Sequence, residues 1–490
     1  MSDENIIRLE KLHKIKEAGL NPYPSSIPKI VEIEAVLSHF EDWMAKKKNL
    51  KIAGRIKAVR LHGAAAFADL DDGTAKMQLH IKQDVVGSSN FEFFEKFVDP
   101  ADFILAEGAL VVTKRGEKTL EVKNFRLISK AILPMPEKWH GLSDVETRYR
   151  KRYLDLIANA QVKEIFVLRS RTIKFLRDFL NKDGFVEVET PILQPIPGGA
   201  NAKPFVTHHN ALDAEFYLRI APELYLKRLV VGGFNKIFEV ARCFRNEGID
   251  YQHNPEFTQI ELYWAYADYK DLMKFVEKIF VALISNLGFV EGKIKYAGEE
   301  INFKPPFEKI TFCDAISKFA NINLKNFDET KSKNLLELAR KNGAEIETGA
   351  SYGKILDEIF KTFVRPKIVQ PTFVIDYPIA LSPLAKRKPD NPDLTERFQL
   401  LLGKGIELIN AFSELNDPLD QEERFKKQQE AREAGEEEAQ RFDKDFVEAL
   451  SHGMPPTAGL GLGIDRLMSL LTDSHNIKEV ILFPTLKPEK

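Results

Sequence analysis

Between Leu50 and Leu133 the chain runs in short alternating or β-branched segments: Ile52–Val59, Met77–Ile81, Phe103–Val112 and Leu120–Ile128. Turn signals stand at Asp72-Gly73 and Arg115-Gly116, and the pattern ends at Pro134-Met135-Pro136. A period of two means strands with one buried face. So many short strands in one short segment are best satisfied by closing on themselves, which leaves no open edge. A small β-barrel is therefore expected. Each proline disfavours helix in the residue before it, so the segment 134–136 marks a boundary.

Ahead of this barrel, Ile6, Ile7, Leu9, Leu12 and Ile15 recur at helical spacing among charged residues, unlike the unbroken apolar middle of a signal peptide. The helix should stop at Gly19, and Asn21-Pro22-Tyr23-Pro24 forces extended backbone. We place a helical extension and linker at 1–49, the barrel at 50–135 and a second, larger unit at 136–490. A chain of 490 residues exceeds one ordinary core, which agrees with more than one domain.

The second unit mixes a long helical period, Val162–Leu180, with strand-like runs at Ile237–Val240, Phe257–Tyr263 and Ile368–Ile375. These strands do not alternate regularly with helices, so an α+β unit with an antiparallel sheet backed by helices is expected. The charge-rich run 421–445 reads as a solvated helix face. The net charge of −2 means that any polyanion must be held by a local basic face. The two cysteines, Cys243 and Cys313, lie far apart, which argues against a disulfide framework and a zinc site and fits the cytoplasm. No run approaches the roughly 18 apolar residues of a membrane helix, so no membrane partner is expected.

Three segments could carry chemistry. Arg242-Cys243-Phe244-Arg245-Asn246-Glu247 follows one strand, and His253-Asn254-Pro255-Glu256-Phe257 opens the next. Arginine offers a charged fork for phosphate or carboxylate, and an aromatic ring nearby can stack on a base. Gly459-Leu460-Gly461-Leu462-Gly463 leads into a helix carrying Arg466, and such a glycine strand lets a flat ring lie close to the backbone. Between them, Glu407, Asn410, Phe412 and Glu414 lie in a strand-like run from Gly405 to Asp417. If that strand were regular, Phe412 and Glu414 would share one face and Glu407 would lie on the other. Carboxylates among apolar neighbours are costly unless they are paired with a metal or a cation.

Together these segments resemble the three signature motifs of class II aminoacyl-tRNA synthetases, and the text between them is similar to the lysine enzymes of that family. The resemblance rests on Gly184–Pro191, Pro197–Ala200, His208–Asn210, Ala221–Tyr225, Phe244–Glu261, Pro371–Leu384, Phe412–Pro418 and Pro455–Arg466. It implies adenylation of lysine by ATP with release of pyrophosphate, then transfer of lysine to the 3′ end of tRNA(Lys). It also implies a homodimer joined around Pro191.

By the same resemblance, Arg245 and Arg466 are the catalytic arginines. Glu247, His253, Asn254, Phe257 and Glu407 join them in holding ATP. Gly199, Glu223, Glu261, Tyr263, Asn410, Phe412 and Glu414, with Arg245, receive lysine. Mg2+ is implied as cofactor, held by Glu407 and by Gln399, which stands where family members usually carry glutamate. Glutamine can coordinate only through an uncharged carbonyl oxygen. The barrel resembles the family's OB-fold anticodon domain, with Arg60, Phe67, Gln78 and Glu117 at positions that read a uridine-rich anticodon by stacking and edge hydrogen bonds.

Overall fold

The computed structural model describes residues 3–135, 144–433, 435 and 438–489, so Pro136 of the boundary segment lies outside the described residues. The chain divides into two compact units, Met1–Ser143 and Asp144–Lys490.

In the first unit, β1 (Asn49–His62), β2 (Ala65–Asp71), β3 (Lys76–Lys82), β4 (Phe103–Val112) and β5 (Lys118–Ser129) close into a barrel of order β1-β2-β3-β5-β4. Alternate residues fill its interior, among them Ile52, Ala66, Ala68, Leu79, Ile81, Leu120 and Val122. β2 is the strand that its own sequence hides. Small Ala66 and Ala68 supply its inward face, so the β-branched signal is missing.

The helix α1 (Asp3–Glu17) forms as its spacing predicts. Two short helices that the sequence pattern did not reveal, Ile33–Ser38 and Phe40–Ala45, follow it. Ile15, Ile33, Val36 and Phe40 belong to the same buried cluster as the barrel strands. Among the described residues no helix is long and apolar enough to cross a membrane.

The second unit is built on a large sheet. Its strands are β6 (Val186–Glu187), β7 (Lys236–Phe244), β8 (Glu256–Ala265), β9 (Glu308–Thr311), β10 (Thr372–Ile375), β11 (Arg397–Leu402), β12 (Ile406–Ser413) and β13 (Thr457–Gly463), in the order β9-β10-β11-β12-β13-β8-β7-β6. The body of the sheet is antiparallel, as expected. The two edge pairings, β6 with β7 and β9 with β10, are parallel. In each case a long excursion, carrying helices and other structure, intervenes before the partner strand, and that is what parallel pairing requires.

Helices α2 (Ala160–Lys182) and α4 (Tyr269–Asn286) share one buried cluster with the sheet, while α3 (Glu223–Val231) packs against β7 and β8. The start of α4 is fixed by a capping box between Asp268 and Asp271. Its residues Leu272, Val276, Phe280 and Leu283 are buried with Phe238, Ile260, Leu262, Phe398 and Leu460. The intervening sheet residues, including Glu261, Tyr263, Gln399, Asn410 and Phe412, point the other way and floor a cleft.

One irregularity decides what that floor contains. Leu400 pairs with Ile409, yet Leu401 pairs with Glu407, so Leu408 is an extra residue in β12. This bulge shifts the alternation by one, turning Leu408 into the apolar core and Glu407 onto the cleft face with Asn410 and Phe412. The expectation that Glu407 lies opposite Phe412 and Glu414 is thereby corrected, because it assumed a regular strand. The run 421–445 also departs from a purely solvated face. In α5 (Pro418–Glu433) Arg424 is buried and donates to the carbonyl oxygens of Ser382 and Ala385, and Lys427 and Gln428 border the cleft.

Candidate active site

The cleft has a volume of about 1750 Å³, and every residue assigned above to ATP, lysine or metal lines it. It has two chemically distinct ends.

The cationic end begins at the β7–β8 hairpin. Arg245 directly follows β7, and its backbone N–H donates to the Pro255 carbonyl at 2.8 Å across the hairpin mouth. Its guanidinium lies 4.9 Å from the ring centre of Phe257. Arg245 Nε is buried without a hydrogen-bond partner, so this donor is left for a ligand. Glu247 lines the same mouth, and exposed His253 is turned by Asp250, whose carboxylate lies 2.9 Å from Nδ1. Asn254 lines the same mouth and is tied into it. Its amide nitrogen donates to the Glu256 carbonyl and its oxygen accepts from the Thr485 N–H, so it holds the hairpin mouth in shape.

From the other side comes Arg466, in the first turn of α6 (Ile464–Leu471), whose Nη1 donates to the Glu407 carbonyl at 2.9 Å. Burial pushes the Glu407 carboxyl up, but Arg466, Arg365, Arg397 and Arg245 outweigh it and hold the group below the usual carboxylate range. Arg365 and Arg397 were not anticipated from the sequence. Arg397 donates to Asn410 Oδ1 at 2.9 Å, so it also orients a residue expected at the lysine. Its position two residues before Gln399 on one strand was the available signal.

This wall can be tested as a magnesium site by its donors. Glu407 is an ionised carboxylate on the cleft face. The carbonyl oxygen of buried Gln399 already accepts a 2.8 Å hydrogen bond from Tyr377. Among the described residues no cluster of three or more acidic, histidine or cysteine side chains could hold a metal. The donor set therefore fits a magnesium ion that arrives with phosphate oxygens as its main ligands and takes one carboxylate from the protein.

The acidic end lies beyond Phe412. Glu223 on α3, Glu261 on β8 and Glu414 just past β12 are all buried. Tyr263 donates to Glu261 at 3.0 Å, and Gln259 donates to its other oxygen. Burial, with Glu223 adding to it, raises the Glu261 carboxyl to about 8. Burial also pushes Glu414 upward, against the pull of Lys227. Lys227 is the chief residue here that sequence reading missed. It is fully buried one helical turn after Glu223, with Nζ 2.6 Å from Glu223 and in contact with Glu414. An i,i+4 Glu–Lys pair was visible, but such pairs are ordinary on helix surfaces.

Two glycines let this pocket exist. Gly199 has φ +88°, and a side chain there would meet Glu223 Cβ at 2.9 Å. At Gly459 an added Cβ would stand 2.0 Å from Glu414 Oε1. The close neighbours of this glycine are thus Glu414 and the ring of Tyr263, which lies against the backbone here. Cys243, on β7, is buried, and burial pushes its thiol up to about 12.

On the barrel, Arg60, Phe67 and Gln78 share the outer face of β1–β3, as the register Arg60↔Phe67, Phe67↔His80 and Asp69↔Gln78 requires. Arg60 is held by Asp69 at 2.8 Å, and Phe67 stacks on His80 with ring centres 4.4 Å apart. Thr119 donates to Gln78 and to the Glu117 carbonyl, which ties the β4–β5 turn to this face. His80 and Asp69 join the set. Alternation from Gln78 and Phe67 would have found both.

These two surfaces define a class of protein. Residues 144–487 match the class II tRNA synthetases of the D, K and N group, and residues 50–128 match the OB-fold nucleic acid binding domain. The chain belongs to the class II aminoacyl-tRNA synthetases. Among its full-length relatives, proteins named Lysine--tRNA ligase from Moorella thermoacetica, Carboxydothermus hydrogenoformans and Campylobacter jejuni (strain RM1221) are each 48% identical to it. The alignments span 100%, 98% and 99% of this chain and 99%, 97% and 97% of those relatives, respectively.

Proposed function

We propose that the protein joins lysine to tRNA(Lys) in two steps at this cleft, in the cytoplasm. The observation that carries lysine, over the aspartate and asparagine that the D, K and N group also includes, is the buried trio Glu223, Glu261 and Glu414, with Glu414 Oε1 lacking a hydrogen-bond partner. An aspartate side chain would be repelled there, and an uncharged one would leave carboxylates desolvated and unpaired.

In the first step a lysine carboxylate oxygen attacks the α-phosphorus of ATP. The bond from that phosphorus to its bridging oxygen breaks, and pyrophosphate leaves with the electron pair. Two anions must meet, so the step needs fixed positive charge rather than a base. Arg245 would bridge carboxylate and α-phosphate, and Arg466 would meet the outer phosphates. Phe257 would carry the adenine, with Glu247 at its edge and His253 near the triphosphate. Glu414 and Tyr263 would receive the lysine side-chain ammonium, while Gly199, Glu223, Asn410 and Phe412 would line the rest of its pocket, with Glu261 as a further acidic wall. Bound with the triphosphate, Mg2+ supplies further charge neutralisation, and Glu407 would hold it, with Gln399 beside it.

In the second step the terminal tRNA hydroxyl attacks the lysyl carbonyl carbon, and AMP departs. The barrel face of Arg60, Phe67, Gln78 and Glu117 would take up the anticodon. Exposed Val186, Ile192 and Leu193, close to Pro191, support pairing of two copies through this region. The test is charging of tRNA transcripts with labelled lysine. Charging of a transcript with a uridine-rich anticodon, and its loss when the anticodon is replaced, supports the reading. No charging of either transcript by folded protein overturns it.

A further inference from the structure

Around Glu414 the buried charges do not balance. Glu223, Glu261 and Glu414 converge there, and Lys227 is the basic side chain in direct contact with two of them. Lys227 and Glu414 are both buried, and the Lys227 ammonium also lies 5.3 Å from the Phe412 ring centre and 5.9 Å from that of Phe446. It contacts Oε2 of Glu414. The other oxygen, Oε1, has no hydrogen-bond partner and lies over Gly459, beside Tyr263.

The lysine reading above assigns Glu414 and Tyr263 to the substrate ammonium and gives Lys227 no role. We propose that Lys227 sets the specificity of this pocket: its ammonium neutralises one carboxylate charge of the Glu223–Glu414 pair, leaving Glu414 oriented and the pocket still short of positive charge. Two carboxylates cannot both stay ionised in one dry space without a counter-charge. Without Lys227, a proton would settle on Glu223 or Glu414, and the oxygen meant for the substrate would lose its charge. With Lys227 in place, a side chain ending in an ammonium supplies positive charge that the pocket lacks, while an apolar side chain leaves the deficit whole. Lys227 is thus a positioning residue that acts through Glu414. Its stem and ring neighbours also explain why it can remain buried: the ammonium is shared between two carboxylates and two aromatic faces.

The inference rests on the lysine reading, so wild-type protein must first show lysine-dependent exchange of pyrophosphate into ATP. Lys227→Met keeps the apolar packing against Phe412 and Phe446, and Lys227→Gln keeps a hydrogen-bond donor without charge. For both, the lysine KM is expected to rise at least about tenfold with the ATP KM nearly unchanged, and the preference for lysine over norleucine as a competitor should shrink by a similar factor. If one variant fails to fold, the other decides. A lysine KM near wild type in folded Lys227→Gln, a parallel rise in the lysine and ATP KM values, or an unchanged lysine-to-norleucine preference would each overturn the proposal.

Discussion

Glu414 Oε1 occupies the space above Gly459, 2.0 Å from where a Cβ on that residue would stand. The carboxylate cannot retreat, because Lys227 holds its other oxygen, and the Tyr263 ring, 2.6 Å from the same point, is held by Glu261. Gly459→Ala is therefore expected to raise the lysine KM by about tenfold or more while leaving the ATP KM in place, because overpacking here displaces the ammonium acceptor and not the arginines. Steady-state exchange kinetics at varied lysine and varied ATP check this.

Lysine binding should depend on pH through Glu261, whose carboxyl is raised to about 8 by burial and by Glu223. Below that pH the group holds a proton, which an incoming ammonium must displace. The side-chain ammonium of lysine stays charged up to about pH 10.4. The lysine KM should then fall as pH rises from the acid side toward about 8, by at most about tenfold per unit for one proton, and level off above it. Glu261→Gln should flatten the profile, which KM measurements between pH 6 and 9 would show.

At the other end, Gln399→Glu adds a carboxylate on the Glu407 face, where Tyr377 now donates to the glutamine oxygen at 2.8 Å. Magnesium takes one or two carboxylates besides phosphate oxygens, so half-maximal exchange should need several-fold less magnesium in the variant. A magnesium titration with ATP held saturating reads this shift.

Phe67 is half-buried on the barrel face and already stacks on His80. Base stacking on an aromatic ring is worth about 1–3 kcal/mol, so Phe67→Ala should raise the KM for tRNA by about tenfold. Exchange of pyrophosphate into ATP, which needs no tRNA, should be unchanged. Measuring charging and exchange on one preparation separates the two.

What the sequence revealed follows from how local each signal is. Barrel strands announce themselves where β-branched residues alternate, and β2 hides because Ala66 and Ala68 do the inward packing. The hairpin and the glycine strand are contiguous in sequence, so the candidates Arg245, Phe257 and Arg466 could be picked out there, although their roles came from the resemblance to the family's motifs. Glu407 shows the limit, since its face depends on the extra residue Leu408, and a bulge leaves no mark in a period-two pattern. Lys227 is hidden for another reason. An i,i+4 glutamate–lysine pair looks the same on a wet helix and in a sealed pocket, and only Glu414, far along the chain, distinguishes them. The parallel sheet edges likewise arise from long excursions that no local window contains.

The most direct single measurement is exchange of labelled pyrophosphate into ATP by the wild-type protein, run with each standard amino acid in turn. Exchange with lysine and with no other is the predicted result. Exchange driven by aspartate or asparagine, or none with any amino acid from folded protein supplied with magnesium, would contradict a lysine pocket built on Glu223, Glu261, Glu414 and Lys227.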